Sequence, residues 1–175
     1  MKIVAISGHA QNGKDTIAGM LKTRLERQGK RVLITHYADL LKYICKAFFG
    51  WDGEKDEKGR KLLQEVGTDV IRGQQPDFWV NFTIQMLQFF GDKWDFVLIP
   101  DSRFPNEIDA LKNKGFDVTH LRIVRPNFKS PLTPEQQRHP SETALDDVVP
   151  DIVVWNSGSL QDLEYKADDL VYSLS

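Results

Sequence analysis

Several features that would assign this 175-residue chain to particular classes of protein are scarce or missing. It has one cysteine, Cys45, which excludes an internal disulfide and a cysteine-based zinc site. We therefore expect a reduced, cytoplasmic compartment. No apolar run approaches the ~18 residues of a membrane span. The apolar segment at residues 3–6 is too short for a secretory leader, so we expect no association with a membrane.

A strong excess of one charge is also missing. The formal net charge is −2, which argues against a nucleic-acid polymer as a partner. The two ends of the chain nevertheless differ, because residues 1–31 contain seven basic and two acidic residues, whereas residues 142–175 contain one basic and eight acidic residues. We interpret both segments as ordinary solvated helix faces.

Apolar residues recur at strand or helix spacing along most of the chain. The pattern predicts strands over residues 2–7, 31–36, 94–100, 117–124 and 151–155. It predicts helices over residues 15–28, 39–49, 61–72, 78–90, 105–114 and 160–174. Strands that alternate with helices are typical of right-handed βαβ crossovers. We therefore expect an α/β fold in which helices cover both faces of a five-stranded, mainly parallel sheet.

The length is that of a single domain, residues 1–175, with two inserted parts. Residues 36–91 are too long and too rich in helix for one crossover, and we interpret them as a helical insertion beside the sheet. Residues 125–140 contain four prolines and no periodicity, which indicates a loop or flap. We refer to residues 125–145 as the lid.

A glycine-rich segment joins the first predicted strand to the first predicted helix. Residues 8–16 read Gly-His-Ala-Gln-Asn-Gly-Lys-Asp-Thr, and their G-x-x-x-x-G-K spacing is the phosphate-loop signature. In such a loop the backbone N–H groups and the helix N-terminus attract an anion, while the lysine contacts the β and γ phosphates. We call residues 8–14 the phosphate loop. The residues expected to contact the nucleotide are Gly8, Gln11, Asn12, Gly13, Lys14, Asp15 and Thr16.

Further short motifs follow the phosphate loop in order. They lie at residues 37–42, 60–72, 76–80, 101–107, 122–126, 139–147 and 156–160. Together with the Gly13-Lys14-Asp15-Thr16 run, they resemble the phage-type deoxynucleoside monophosphate kinases within the P-loop nucleoside monophosphate kinase group. The resemblance covers most of the chain. It implies a three-layer P-loop kinase fold, a helical substrate-binding insertion, a short lid, and ATP and Mg²⁺ as cofactors.

A kinase of this kind needs cations more than it needs a general base. The acceptor phosphate is already largely dianionic at neutral pH, so the protein mainly positions the phosphates and neutralises their charge. Arginine suits bidentate contacts with phosphate oxygens. The residues expected to take part in catalysis are Lys14, Arg103, Arg125 and Arg138. The residues that the resemblance implies for acceptor binding are Ala38, Lys42, Arg60, Gln64, Arg72, Trp79 and Glu142.

Several of these residues have a second interpretation. Arg103 could form a structural ion pair with Glu107 or Asp147, and Trp79 could belong to the core. Asp101 follows an apolar strand and is a candidate Mg²⁺ ligand, directly or through water. Asp15 is the other candidate ligand, although an aspartate there could instead cap the helix. The role of His139 stays open.

We therefore expect an ATP- and Mg²⁺-dependent kinase that converts a deoxynucleoside monophosphate to the diphosphate. One alternative is a kinase of another phosphorylated metabolite, of phosphomevalonate or dephospho-coenzyme A type. A nucleotide-binding regulator without an acceptor is the other. The sequence leaves open which base and sugar are accepted, whether the host is viral or cellular, and whether the protein is a monomer or a homodimer.

Overall fold

A computed structural model describes residues 1–174. The strands have these bounds: β1 Lys2–Ser7, β2 Val32–Ile34, β3 Phe96–Ile99, β4 Asp117–Val124 and β5 Ile152–Trp155. The helices have these bounds: α1 Lys14–Arg27, α2 Ala38–Phe49, α3 Glu57–Gln64, α4 Phe78–Phe90, α5 Pro105–Asn113, α6 Pro134–Arg138, α7 Pro140–Thr143 and α8 Leu160–Leu174. Among these helices none is both long and apolar enough to cross a bilayer.

The five strands form one sheet in the order β2-β3-β1-β4-β5. Each neighbouring pair is parallel, which confirms the predicted α/β fold and its mainly parallel sheet. Strand β1 lies at the centre, and its residues 3–7 are buried. The carboxyl ends of parallel strands meet at one edge of the sheet, where open α/β folds bind ligands. The segments that follow β1 and β3 therefore lie near each other.

Helices cover both faces of the sheet and make three layers. Val4 and Ile6 of β1 belong to a core cluster that also contains Ile17 of α1 and Leu163 of α8. Ile3 belongs to a second cluster on the opposite face, to which α2, α4 and α5 contribute. Side chains alternate between the faces of a strand, so β1 contributes apolar residues to both clusters.

The oppositely charged ends of the chain meet in the fold. Helices α1 and α8 pack against the same face of the sheet. Arg24 Nε donates to Asp168 Oδ1 at 2.5 Å, and Arg24 Nη2 donates to the Glu164 carbonyl at 3.1 Å. The charged residues therefore lie at the outer edge of a helix pair whose contact with the sheet is apolar.

The lid differs from the loop expected over residues 125–140. It contains α6 and α7, each with a proline in its first turn, where the missing N–H removes no helix hydrogen bond. Thr133 Oγ1 accepts the N–H of Gln136 and caps α6. The prolines that suggested irregular structure therefore begin helices.

The helix predicted over residues 61–72 is also more complex than expected. Helix α3 already begins at Glu57, where the Asp56 side chain accepts the N–H of Gly59. The segment Glu65–Arg72 continues α3 in π-helical geometry. Such segments are uncommon and are often found at functional sites.

Candidate active site

The phosphate loop has a backbone conformation that requires its two glycines. Gly8 and Gly13 have φ values of 139° and 104°, which L side chains rarely adopt. A Cβ on Gly8 would lie 2.3 Å from the Ile123 carbonyl oxygen of β4, and a Cβ on Gly13 would lie 3.0 Å from Asn156 Nδ2. The loop is therefore pressed against the ends of β4 and β5.

Two asparagines hold the phosphate loop in this position. Asn12, a predicted nucleotide contact, is buried, and its Nδ2 donates to the Ile123 carbonyl at 3.1 Å. Asn156 Nδ2 donates to the Asn12 carbonyl at 3.0 Å from the turn before α8. Both bonds use carbonyl oxygens as acceptors, so the backbone N–H groups of the loop are not needed for them.

The ammonium group of Lys14 lies inside the loop. Lys14 Nζ donates to the carbonyls of Gly8 and His9 at 2.6 and 2.9 Å. Burial, together with the nearby positive charge of Arg103, lowers the pKa of Lys14 to about 8, whereas Glu142 and two aspartates oppose the shift. Phosphate groups are anionic, so they would favour the charged form of this lysine.

A cleft of about 440 Å³ adjoins the phosphate loop. Its walls come from the loop, the start of α2, the α3 region, the segment after β3 and α7. The predicted site residues that line this cleft are Gln11, Lys14, Asp15, Ala38, Lys42, Arg60, Gln64, Arg72, Trp79, Asp101, Arg103 and Glu142. Donor-side and acceptor-side predictions thus converge on one cavity.

The lid contacts the phosphate loop through Glu142 of α7. Glu142 Oε2 accepts the N–H of Ala10 at 2.9 Å, and Glu142 Oε1 pairs with the Arg103 guanidinium. The ion pair that the sequence offered as an alternative role for Arg103 therefore forms with Glu142 rather than with Glu107 or Asp147. A carboxylate is an anion of the kind that loop N–H groups and an arginine both attract.

Asp15 begins a chain of alternating charges at the mouth of the cleft. His36 Nε2 lies 3.0 Å from Asp15 Oδ1, and Asp39 lies between His36 and Lys42. The hydrogen bond between Asp15 and His36 lowers the pKa of the carboxyl and raises that of the imidazole. Helix α1 begins without a side-chain cap, so the alternative that Asp15 caps it is not what the structure shows.

Asp101 joins the end of β3 to the start of α2. Its Oδ1 accepts the N–H of Tyr37 at 3.0 Å, and its Oδ2 accepts the N–H of Ala38 at 2.9 Å. Burial raises the pKa of Asp101, although these two bonds favour the carboxylate. The carboxylate satisfies N–H groups that have no partner within the helix.

Arg72 ends the π-helical segment and is buried beside the cleft. Its guanidinium pairs with Glu107, and its Cζ lies 3.8 Å from the centroid of the Phe104 ring. Burial raises the pKa of Glu107 to about 7, and the charge of Arg72 opposes this shift. The sequence predicted Arg72 as a site residue but gave Glu107 no role in binding.

Trp79 has a structural role as well as a place at the cleft. Its ring is buried, and its Nε1 donates to the Gly67 carbonyl at 3.0 Å. It packs edge to face against Phe78, with centroids 4.9 Å apart. The ring therefore belongs to the core, as the second interpretation held, and it also lines the cleft.

Some predicted residues lie outside the cleft. Arg125 is exposed and stacks on Phe128, with its Cζ 4.3 Å from the ring centroid. Arg138 is exposed at the end of α6. Thr16 does not line the cleft either. The structure therefore does not bring the two lid arginines to the other cations.

His139, whose role was open, lies between α6 and α7. Its Nδ1 accepts the N–H of Ser141 at 3.2 Å and also lies 2.9 Å from the Ser141 hydroxyl. Its Nε2 lies 3.4 Å from Asp69 on the π-helical segment. His139 thus caps α7 and connects the lid to the opposite wall of the cleft.

The sheet order and the loop give this chain the fold of the P-loop kinases, and solved structures agree on that fold. A sugar kinase from Janibacter is 13% identical, with a TM-score of 0.57; the match covers 99% of this chain and 95% of that one. The dephospho-CoA kinase from Campylobacter jejuni is 15% identical, with a TM-score of 0.53 over 99% of this chain and 98% of that one.

Sequence comparison is more specific than the fold. The sequence model of the family described as deoxynucleotide monophosphate kinase matches residues 44–167. This chain therefore belongs to the deoxynucleotide monophosphate kinase family. The matched range includes the acceptor-side residues from Arg60 onward, whereas the phosphate loop is supported by its spacing and geometry.

Two phage proteins are similar to this chain. The deoxynucleotide monophosphate kinase of Enterobacteria phage T4 is 35% identical over 106 residues, which are 59% of this chain and 41% of that protein. The protein of the same name from Escherichia phage RB69 is 28% identical over 114 residues, which are 64% of this chain and 44% of that protein. The matched region thus spans less than half of either phage protein.

Proposed function

We propose that this protein transfers the γ-phosphoryl group of ATP to the phosphate of a deoxynucleoside monophosphate. The observation that carries the proposal is the single cleft that contains both Lys14 of the phosphate loop and the buried Arg72. Membership of the deoxynucleotide monophosphate kinase family supports the choice of acceptor. The phosphate of such an acceptor is already largely deprotonated, so the reaction needs no general base.

The donor side would consist of the phosphate loop. Its N–H groups and Lys14 would bind the β and γ phosphates, with Gly8 and Gly13 allowing the close approach. Lys14 would exchange its present carbonyl partners for phosphate oxygens. Arg103 lies next to the loop and would neutralise charge that develops on the transferred group.

The acceptor side would consist of α2, α3 and the π-helical segment. We assign Arg72 to the acceptor phosphate and Lys42 to its approach. Arg60 and Gln64 lie on the cleft wall, where they would contact the base or sugar together with the edge of Trp79. Ala38, whose side chain is a single methyl group, would leave room for the acceptor phosphate at the start of α2.

We propose Mg²⁺ as the metal, held mainly by phosphate oxygens. Within residues 1–174 there is no group of three or more His, Cys, Asp or Glu side chains that could hold a metal. Mg²⁺ suits such a site, because it commonly binds through one or two carboxylates, substrate phosphates and waters. Asp15 has an exposed carboxylate that fits this role. Asp101 would act through water, since both of its oxygens already accept N–H groups.

Bound Mg²⁺ would neutralise charge on the β and γ phosphates. The chain's own residues would orient the two nucleotides and exclude water. We propose that the lid closes during this reaction and brings Arg125 and Arg138 toward the phosphates. In the closed state Glu142 would contact either the phosphate loop, as it does here, or the acceptor. We also propose a cytoplasmic enzyme that is a monomer or a homodimer.

A panel of acceptors tests the proposal. The protein is incubated with ATP, Mg²⁺ and each ribo- and deoxynucleoside monophosphate in turn, and ADP is followed. We expect turnover with at least one deoxynucleoside monophosphate. In Lys14→Ala we expect kcat to fall by a factor of about 10² or more. Circular dichroism should show that this variant is folded.

Different results would favour the alternatives. Turnover of dephospho-coenzyme A or phosphomevalonate, with none for any nucleoside monophosphate, would identify a kinase of another metabolite. ATP binding without turnover of any acceptor would indicate a nucleotide-binding regulator. Full activity in Lys14→Ala would reject the assignment of the phosphate loop.

A further inference from the structure

A buried carboxylate at the start of α5 has no role in the proposed reaction so far. Glu107 is 2% exposed, and its two oxygens have different partners. Oε1 accepts from Arg72 Nη2. Oε2 accepts the backbone N–H groups of Arg103 and Phe104 at 2.7 and 3.1 Å. One side chain therefore connects Arg72 to the segment that follows β3.

Arg72 is held from several directions. Its Nη1 donates to the Pro76 carbonyl and to Asn106 Oδ1, both at 3.0 Å. The Phe104 ring covers one face of the guanidinium. Of its five N–H donors, three have protein partners among the described residues, which leaves Nε–H and one Nη2–H for a ligand. An Nε–H and an Nη2–H of one guanidinium are a fork that can bind two oxygens of one phosphate.

The orientation of that fork depends on Glu107. The planar guanidinium can rotate about the Cδ–Nε bond, and the hydrogen bond from Nη2 to Glu107 limits that rotation. Asn106 holds only the other nitrogen. Without an acceptor at Glu107, the Nη2–H group that is bound there would lose its partner, and the fork would lose its fixed direction.

We propose that Glu107 is a positioning residue for the acceptor phosphate, acting through Arg72. It orients the guanidinium toward the cleft, and it connects this guanidinium to the segment that contains Arg103. The inference rests on the proposed function, because it takes Arg72 as the acceptor-phosphate ligand. It adds a residue that does not itself touch substrate, and it explains why an ionisable group is buried there.

The chemistry of the two oxygens provides a selective variant. In Glu107→Gln the amide oxygen can still accept the two backbone N–H groups. Its NH₂ group would then face Arg72, so that a donor opposes a donor. The variant thus keeps the start of α5 and loses the contact with Arg72. Asp109→Asn is the matched control, because it makes the same chemical change at an exposed position of the same helix.

Steady-state kinetics with the preferred deoxynucleoside monophosphate test the proposal. We expect Glu107→Gln to raise the KM of the acceptor about tenfold, as for a lost hydrogen bond to a charged group. The KM of ATP should stay within about twofold. In an Arg72→Ala background, Glu107→Gln should add little, because both changes remove the same contact. Asp109→Asn should match the unsubstituted protein.

Other outcomes would overturn the inference. Equal losses for ATP and acceptor together with a lower Tm, or additive effects in the double variant, would show a purely structural role. If Glu107→Gln does not fold, Asn106→Ala carries the test, because it removes one of the two partners of Nη1 on the same guanidinium; an unchanged acceptor KM there would contradict the proposal. Calorimetry distinguishes this failure from failure of the proposed function, in which the unsubstituted protein itself binds no nucleoside monophosphate.

Discussion

At the scale of single residues, the protein buries four ionisable side chains at or beneath the edge of the sheet where the strands end. Lys14, Arg72, Glu107 and His120 each have at least one hydrogen-bond partner, which offsets part of the cost of removing a polar group from water. Three of them line the cleft. His120 lies within the sheet, where its Nε2 and Ser7 Oγ are 2.7 Å apart in a hydrogen bond. Perturbed ionisable groups are common at functional sites.

His120 predicts a loss of stability in acid. Burial, together with the positive charge of Arg122, lowers its pKa to about 4. The unfolded chain therefore binds a proton near pH 6.5, whereas the folded protein resists it until about pH 4. The contribution of His120 to the free energy of unfolding should therefore fall by about 2–3 kcal/mol as the pH drops through this window. Urea denaturation at a series of pH values measures it.

A variant isolates this contribution. Glu107 has the opposite effect, because its raised pKa makes the folded protein less stable as the pH rises from about 4.5 to about 7. His120→Gln keeps a polar side chain but cannot titrate. The difference in unfolding free energy between the unsubstituted protein and His120→Gln should narrow toward pH 4. A difference that is constant with pH would show that His120 does not titrate in this range.

At the scale of elements, the phosphate loop depends on the packing of its neighbours. Gly8→Ala would place a Cβ within 2.3 Å of the Ile123 carbonyl, at a φ that favours glycine. We expect a loss of about 2–4 kcal/mol in unfolding free energy, from backbone strain and the clash together. ATP binding should be lost as well, because the loop must move away from β4. Thermal unfolding and calorimetry with ATP measure the two effects.

Gly29→Ala is the matched control for this prediction. Gly29 also has a positive φ, of 78°, but a Cβ there would have no atom within 4 Å. Its substitution should cost about 1–2 kcal/mol through the backbone alone and leave ATP binding intact. Equal effects of the two substitutions would mean that contact with β4 is not what requires glycine in the loop.

Much of the arrangement of elements could be predicted because local patterns determine it. The strand that leads into Asp101 is a short apolar run bounded by polar residues, and the phosphate loop has its own spacing. Elements whose signals conflict were missed. Pro134 and Pro140 suggested a loop, yet each begins a helix, and the capping pair Thr133 and Gln136 was the signal that could have shown this.

The candidate site could be predicted only in part, because several of its contacts join residues far apart in the chain. Glu142 reaches Ala10 across 132 positions, and no local pattern indicates that pairing. Glu107 was visible in the 101–107 motif, but its partner Arg72 lies 35 residues away. Arg125 and Arg138 are predicted as site residues from their charge and their position in the lid. Charge alone does not determine which way a side chain points.

At the scale of the whole molecule, helices α1 and α8 are joined mainly by apolar packing, although their charges are complementary. Leu21 of α1 is fully buried in the cluster that includes α8. Leu21→Ala should lower the unfolding free energy by about 2–5 kcal/mol. Asp168→Asn should change it far less, because its carboxylate is exposed to solvent and salt. Denaturation at low and high salt measures both; a larger effect for Asp168→Asn would contradict this interpretation.

The central place of β1 also governs how the chain acquires its structure during synthesis. Lys2 pairs with Phe96 of β3 and with Asp117 of β4, so the partners of the first strand are made 94 and 115 residues later. Pairing over such separations is slow, because long loops must close first. A nascent chain therefore holds its first strand unpaired until β3 and β4 have left the ribosome. The phosphate loop precedes both of these strands in the chain, yet it is among the last parts to reach its final form.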